Sequence, residues 1–201
     1  MNRYLNEFLN LKCSGDVLNI VNPLGRKAEK EITEAMAIVK RIKLVTIGRP
    51  MKYTLYDFCA GNALGSILST FLLPIKQTFA FDKTPLNRKY ETVKRFKYIE
   101  ENIYNFDEKT IVEDSIIMAI HSCGDLANRI CDIYLNSKAR YLFLIPCCNG
   151  VFNVSKYPEI MRTKLGKYVL WSLELRNKVD GKMFIDNYCL SPKNCVIVAE
   201  K

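Results

Sequence analysis

No apolar run in the 201-residue sequence reaches the roughly 18 residues of a membrane-spanning helix, and no N-terminal signal pattern is visible. The sequence carries no internal repeat, no low-complexity stretch and no C-x-x-C pair. These absences predict a soluble cytoplasmic protein without a membrane partner. Histidine occurs once, as His121. Only one side chain therefore has an unperturbed titration near neutrality.

What is present fits one folded domain. Hydrophobic residues make up 49% of the chain, which argues against disorder and supplies a full core at this length. Eight cysteines lie in or beside strand-like runs, and without a secretory signal they read as reduced, mostly buried thiols. The net charge is +9, with Lys and Arg gathered in 26–49, 83–97 and 162–182. Such a surface favours a polyanionic partner, of which RNA is the candidate; a merely solvated basic face is the plainer alternative.

The most informative stretch is 53–66, YTLYDFCAGNALGS. An apolar run ends in Asp57, a turn centred on Gly61 follows, and a helix opens near Gly65. Twenty-one residues after Gly61 the run TFAFD ends in a second acid, Asp82. A strand, a glycine turn and a second strand ending in an acid outline a nucleotide cofactor site in a Rossmann-like sheet. Backbone N–H groups at Cys59, Ala60, Gly61 and Asn62 would face the ligand, and Asp82 can accept both hydroxyls of a ribose.

The order of elements supports that outline. Helices are predicted over 1–12 and 26–44, with a turn at 22–25 between them. Strands follow at 53–58, 77–82, 97–101, 115–121 and 140–146. Between them come helices at 64–73, 85–96 (opened by Thr84-Pro85) and 124–136, with another at 157–178. Two closing strands, 182–189 and 194–200, are joined by Ser191-Pro192-Lys193. Alternating strands and helices predict an α/β fold with a mostly parallel sheet, and the short final connection predicts one antiparallel strand near the C-terminus. Residues 1–201 read as a single domain, 1–50 a helical extension and 51–201 the Rossmann-like core.

In an open parallel sheet, ligands bind at the carboxyl ends of the strands. Those ends carry Asp57, Cys59 and Gly61; Asp82; Asn102 and Ile103; His121, Cys123 and Asp125; and Cys147 and Cys148. His121 can act as a general base or be a core imidazole that shapes its turn, and Asp125 can be a base or an acid that opens a helix. His121, Cys123, Cys147 and Cys148 have the chemistry of zinc ligands, but adjacent cysteines seldom reach one ion. No metal is therefore assigned, and the thiols read as walls of the pocket.

The turn Asp57-x-Cys59-x-Gly61-x-Ala63 resembles motif I of class I S-adenosylmethionine-dependent methyltransferases, commonly acid-x-G-x-G-x-G. Cys59 and Ala63 replace two of the glycines. HSCGD after the fourth strand, IPCCNG after the fifth and SPKN between the last two are similar to one branch of that family. Its members carry H-x-C-(G or D), P-C-C and T-P-K-N at these places. The branch includes methyltransferase-like domains and is similar to the tRNA acceptor-stem 2′-O-methyltransferase. The resemblance spans about 28–201. Ser191 stands for the usual threonine, and Asn149 for a histidine or tyrosine.

The resemblance implies a seven-stranded Rossmann-like sheet with helices on both faces. It implies S-adenosyl-L-methionine as cofactor, held by Asp57, Cys59, Ala60, Gly61, Asn62, Asp82, Asn102, Ile103 and His121. His121, Asp125, Cys123 and Cys147 would stand at the reaction centre, and RNA, with a tRNA as the first candidate, would be the methyl acceptor. No D-P-P-Y or N-P-P-Y follows the fourth strand, which argues against the exocyclic amine chemistry that tetrapeptide serves. Two other readings stay open: a nicotinamide-dependent oxidoreductase sharing Asp82, and a non-catalytic nucleic-acid-binding protein on the same fold.

Overall fold

The computed structural model describes residues 2–23, 25, 27–84, 86 and 88–201. Three helices come first: α1 (Arg3–Leu9), α2 (Ser14–Val21) and α3 (Lys27–Thr46). Then follow β1 (Thr54–Phe58), α4 (Leu64–Leu72), β2 (Gln77–Asp82), β3 (Phe96–Glu100), β4 (Ser115–Ser122), α5 (Asp125–Asn136) and β5 (Ala139–Pro146). The chain closes with α6 (Glu159–Lys178), β6 (Lys182–Ile185) and β7 (Cys195–Glu200).

The strands form one seven-stranded sheet in the order β3-β2-β1-β4-β5-β7-β6. The first five are mutually parallel, and β7 runs antiparallel to both β5 and β6. This is the Rossmann-like arrangement of methyltransferases, with its reversed strand where the short Ser191-Pro192-Lys193 connection predicts it.

Alternation along the strands builds two cores. Leu55, Met118 and Phe143 point to one face and pack with Ile38 and Ile42 of α3 and Ile67 and Leu68 of α4. Phe58, Ile117 and Leu142 point to the other face and pack with Ile130 and Tyr134 of α5 and Trp171 and Leu175 of α6. Every residue of β1 is buried, as a central strand covered on both faces must be.

Four local expectations need correction. Residues 88–96 form no α-helix but a strap with a single short turn at Tyr90–Thr92; Pro85, the expected helix start, lies outside the described residues, as do Leu24 of the 22–25 turn and Arg26. The strap is held by packing: the Tyr90 ring stacks on Tyr98 at 4.7 Å, and the Arg95 guanidinium donates to the Thr70 carbonyl at 3.0 Å. Six Lys and Arg residues in 83–97 repel one another along any helix built there, and the aromatic stack offers the better alternative. A helix at 14–21 falls where none was predicted. The long helix α6 breaks at Gly166, which adopts φ 71° and ψ 167°. β6 ends at Ile185, after which Asp186 turns inward and accepts from Tyr4 Oη at 2.9 Å and from Arg41 Nη1 at 2.8 Å.

These bonds tie the β6–β7 connection to α1 and α3. Leu190 N–H also donates to Thr33 Oγ1 at 3.1 Å. The segment carrying Ser191-Pro192-Lys193 therefore braces α3 at the residue beside Glu34.

Candidate cofactor site

The turn after β1 reproduces a glycine-rich backbone without the glycines. Cys59, Gly61 and Ala63 all adopt left-handed conformations, with φ of 58°, 54° and 58°. Such a conformation at a non-glycine residue costs on the order of 1–3 kcal/mol and persists where the surroundings hold it. Here Asp82 holds it. Its Oδ2 accepts the Gly61 N–H at 2.9 Å and its Oδ1 accepts the Thr84 N–H at 3.0 Å. Tyr98 Oη donates to the Gly61 carbonyl at 2.8 Å, and Asn62 Oδ1 accepts the Leu64 N–H at 3.1 Å to start α4. A Cβ at Gly61 would meet no atom of the described residues within 4 Å. At Gly65 it would lie 2.7 Å from Ile120 Cδ1, so that glycine lets α4 press onto β4.

Two hollows meet at Cys59. The first, about 190 Å³, is lined by the turn residues Asp57, Cys59, Ala60, Gly61 and Asn62, by Glu31 and Glu34 from α3, and by His121. The second, about 170 Å³, is lined by Cys59, Asp82, Lys83, Glu101, Asn102, Ile103 and Tyr104, with Phe81 and Leu126 on its apolar side. Every residue expected to bind cofactor thus lines one hollow or the other. Asp125, Cys123 and Cys147 line neither.

Acids concentrate in the first hollow of a chain whose net charge is positive. Asp57 is buried and accepts from Ser66 Oγ. Burial pushes its carboxyl up to about 7, and the nearby charge of Asp82 adds to the rise against the Ser66 hydrogen bond. Glu34 is fully buried, and its Oε2 is paired with His121 Nε2. Among the described residues, buried Glu34 Oε1 and Asp57 Oδ1 find no hydrogen-bond partner. The Cys59 thiol is pushed up to about 12 by burial and by the Asp82 and Asp57 charges, so it is a neutral wall at neutral pH.

Glu31 and Glu34 were not singled out from the sequence. Glu34 lies one and two turns from Ile38 and Ile42, on the apolar stripe of α3. An acid on that stripe is the signal that could have found it.

His121 sits in a β-bulge at the end of β4, where the pairing with β5 shifts between Ile120 and Ser122, and its φ is 63°. The bulge turns its ring toward α3 and the first hollow. Cys123, Cys147 and Cys148 gather just beyond, their sulfurs within 4.8 Å of one another. Burial, reinforced by the neighbouring thiols, raises Cys147 well above the ordinary thiol range, so without a cation beside it the group is a neutral thiol. Among the eight cysteines, all free, Cys131, Cys189 and Cys195 are buried; Cys123 and Cys148 are exposed, against the expectation of mostly buried thiols. Asp125 begins α5.

Gly124, between the thiols and α5, adopts φ 52° and ψ −121°, a conformation open essentially to glycine alone. Gly124→Ala should destabilise the protein by about 1–3 kcal/mol. Urea unfolding measures this, and an unchanged midpoint would show that the turn relaxes freely.

A sheet of this order with a ligand cleft at the carboxyl ends of β1 and β2 is the fold of class I methyltransferases. A family model described as "Methyltransferase domain" matches residues 26–153, and the chain belongs to that family. A search of curated proteins finds no match. Solved structures give the same fold. The methyltransferase domain of bacterial CtHen1 is similar with a TM-score of 0.54 and 11% identity, covering 86% of this chain and 100% of that one. An rRNA methylase from Streptococcus thermophilus gives 0.55 and 10%, covering 84% and 96%. The 23S rRNA methyltransferase ErmE gives 0.52 and 11%, covering 89% and 69%. At these identities the likeness shows the fold alone.

Proposed function

We propose that this protein is an S-adenosyl-L-methionine-dependent methyltransferase whose acceptor is RNA, with a tRNA as the first candidate. The observation that carries the cofactor reading is the acidic cleft in a basic chain. Glu34 Oε1 and Asp57 Oδ1 are orphaned acceptors in the hollow beside the turn, and they fit the ammonium of a methionine moiety. Asp82 keeps lone pairs beyond those spent on Gly61 and Thr84, so it can also accept from ribose hydroxyls. The second hollow, with Asn102, Ile103 and the apolar Phe81 and Leu126, suits an adenine. The open direction at Gly61 leaves room for the ligand to approach the backbone.

When bound, the cofactor would supply an electrophilic methyl on its sulfonium. The protein's part is then to orient the acceptor and remove a proton. Glu34 holds the His121 ring through Nε2, leaving the other ring nitrogen to take that proton. Asp125, Cys123 and Cys147, outside both hollows, would face the acceptor. RNA as acceptor rests on the +9 charge and on fold neighbours that are rRNA methyltransferases by name. Residues 1–201 act as one domain in this reading, with α3 of the N-terminal extension completing the cleft.

Asp82→Ala removes both a ribose acceptor and the clamp on the turn. It should weaken S-adenosyl-L-methionine binding by about 2–4 kcal/mol, roughly 30- to 900-fold. Titration calorimetry measures this, and unchanged affinity would remove Asp82 from the site. The reaction itself is tested by transfer of a tritiated methyl group to fractionated total RNA and protein. Label in protein alone would overturn the choice of RNA, and failure to bind S-adenosyl-L-methionine at all would overturn the enzyme.

A further inference from the structure

We propose that Cys123, Cys147 and Cys148 form a three-thiolate site for a thiophilic divalent cation, Zn²⁺, at the mouth of the cleft. The cluster comes from two turns that the fold brings together. Cys123 leaves the tip of β4; Cys147 and Cys148 leave the tip of β5, its parallel neighbour. Consecutive residues in an extended strand point to opposite faces, which is why a Cys-Cys pair is ordinarily a poor chelate. Here the strand ends at Pro146 and the chain turns, so the two adjacent sulfurs stand 3.5 Å apart on the same side.

Spacing fits the ion. A Zn–S bond of about 2.3 Å places sulfurs of a tetrahedral site roughly 3.8 Å apart. The three sulfurs, all within 4.8 Å of one another, reach that spacing through side-chain shifts of about an ångström or less. The backbone beneath them is fixed. The Cys147 N–H donates to the Ser122 carbonyl at 3.4 Å, which ties the two turns; the Cys147 and Cys123 thiols donate to the His121 carbonyl at 3.3 Å and 3.6 Å, contacts that an ion would replace.

The donor set selects the ion. Three sulfurs without a carboxylate select a soft or borderline cation over Mg²⁺ or Ca²⁺. His121 is outside the cluster, since neither of its ring nitrogens lies within 4.8 Å of all three sulfurs. Three protein ligands leave one position for water or an incoming group, facing solvent beside the exposed Cys123 and Cys148. Binding releases the thiol protons and joins the β4–α5 turn to the loop after β5.

Titration of the fully reduced protein with Co²⁺, which reports thiolate ligation by a charge-transfer band, tests the site. One equivalent should bind with that band, and Zn²⁺ should displace it. Cys123→Ser and Cys147→Ser should each weaken binding by about 100-fold or more, while Cys13→Ser leaves it unchanged. A band that survives in the Cys123→Ser/Cys147→Ser double variant, or no band in the native protein, would overturn the site. Should either variant fail to fold, alkylation of native protein decides: Zn²⁺ should protect Cys123 and Cys148 in peptide maps. Equal alkylation with and without Zn²⁺ would overturn the proposal.

Discussion

Stability of the ligand-free protein should fall as pH rises toward 7, and Asp57 should be the reason. Burial holds its carboxyl up at about 7, against an ordinary value of 3.8 in the unfolded chain. Between those values the unfolded chain has released its proton and the folded protein has kept it. The folded state binds more protons there, so stability is full below the unfolded value and is lost as pH climbs through the folded one. The slope approaches about 1.4 kcal/mol per pH unit, a few kcal/mol across the window.

Three surface carboxylates work in the opposite sense. Glu7, Glu108 and Glu200 are held below the usual carboxylate range, Glu7 and Glu200 mainly by side-chain hydrogen bonds and Glu108 first by its own backbone and then by Arg129. Their stabilisation is lost only as pH falls below about 4.5, at the acid edge of the window, and solvent screens it. The wild-type protein minus Asp57→Asn isolates the buried group. Asparagine keeps an acceptor for Ser66 and cannot ionise, so the variant should lose the decline between pH 5 and pH 7. Urea unfolding at unit pH steps measures both. Equal slopes in the two proteins would mean that water reaches Asp57 and it titrates normally. A bound methionine ammonium favours the Asp57 anion, so saturating S-adenosyl-L-methionine should move the decline to lower pH.

That carboxylate was legible in the sequence; its environment was not. Asp57 and Asp82 each end an apolar run, and a run of that length in an α/β pattern is a strand whose tip faces the ligand side. β2 begins at Gln77 and ends at Asp82 as the pattern predicts. The glycine replacements at Cys59 and Ala63 were legible as a departure. That the backbone keeps its left-handed turns there depends on Asp82, twenty-one residues from Gly61. Contacts between distant segments stayed hidden for the same reason. Nothing local to α3 says that Glu34 meets His121, and nothing local to Cys123 says that it meets Cys147. The strap at 88–96 is a different case, because Thr84-Pro85 suggests a helix start while three aromatic rings, Tyr90, Phe96 and Tyr98, settle the segment as an irregular strap around one short turn. Helical spacing cannot see a stack between residues of different elements.

His121→Ala should lower turnover by about 10²–10⁴ while leaving S-adenosyl-L-methionine affinity nearly unchanged. The bulge at the end of β4 points the imidazole into the first hollow, and buried Glu34 holds one ring nitrogen. An acid that fixes a histidine in one tautomer leaves the second nitrogen as proton acceptor and stabilises the imidazolium that forms. Glu34→Gln tests the pairing separately. It keeps the size of the side chain and a hydrogen bond but removes the charge, so turnover should fall by less than in His121→Ala. Glu34 also lines the first hollow and has an orphaned Oε1, so Glu34→Gln should weaken cofactor binding where His121→Ala does not. This crossed pattern is the diagnostic: one variant moves turnover alone, the other moves turnover and affinity. A His121→Ala enzyme with full turnover on its acceptor would return the imidazole to a role in shaping the bulge. Asp125, at the start of α5 beyond Gly124, would then be the next base to test.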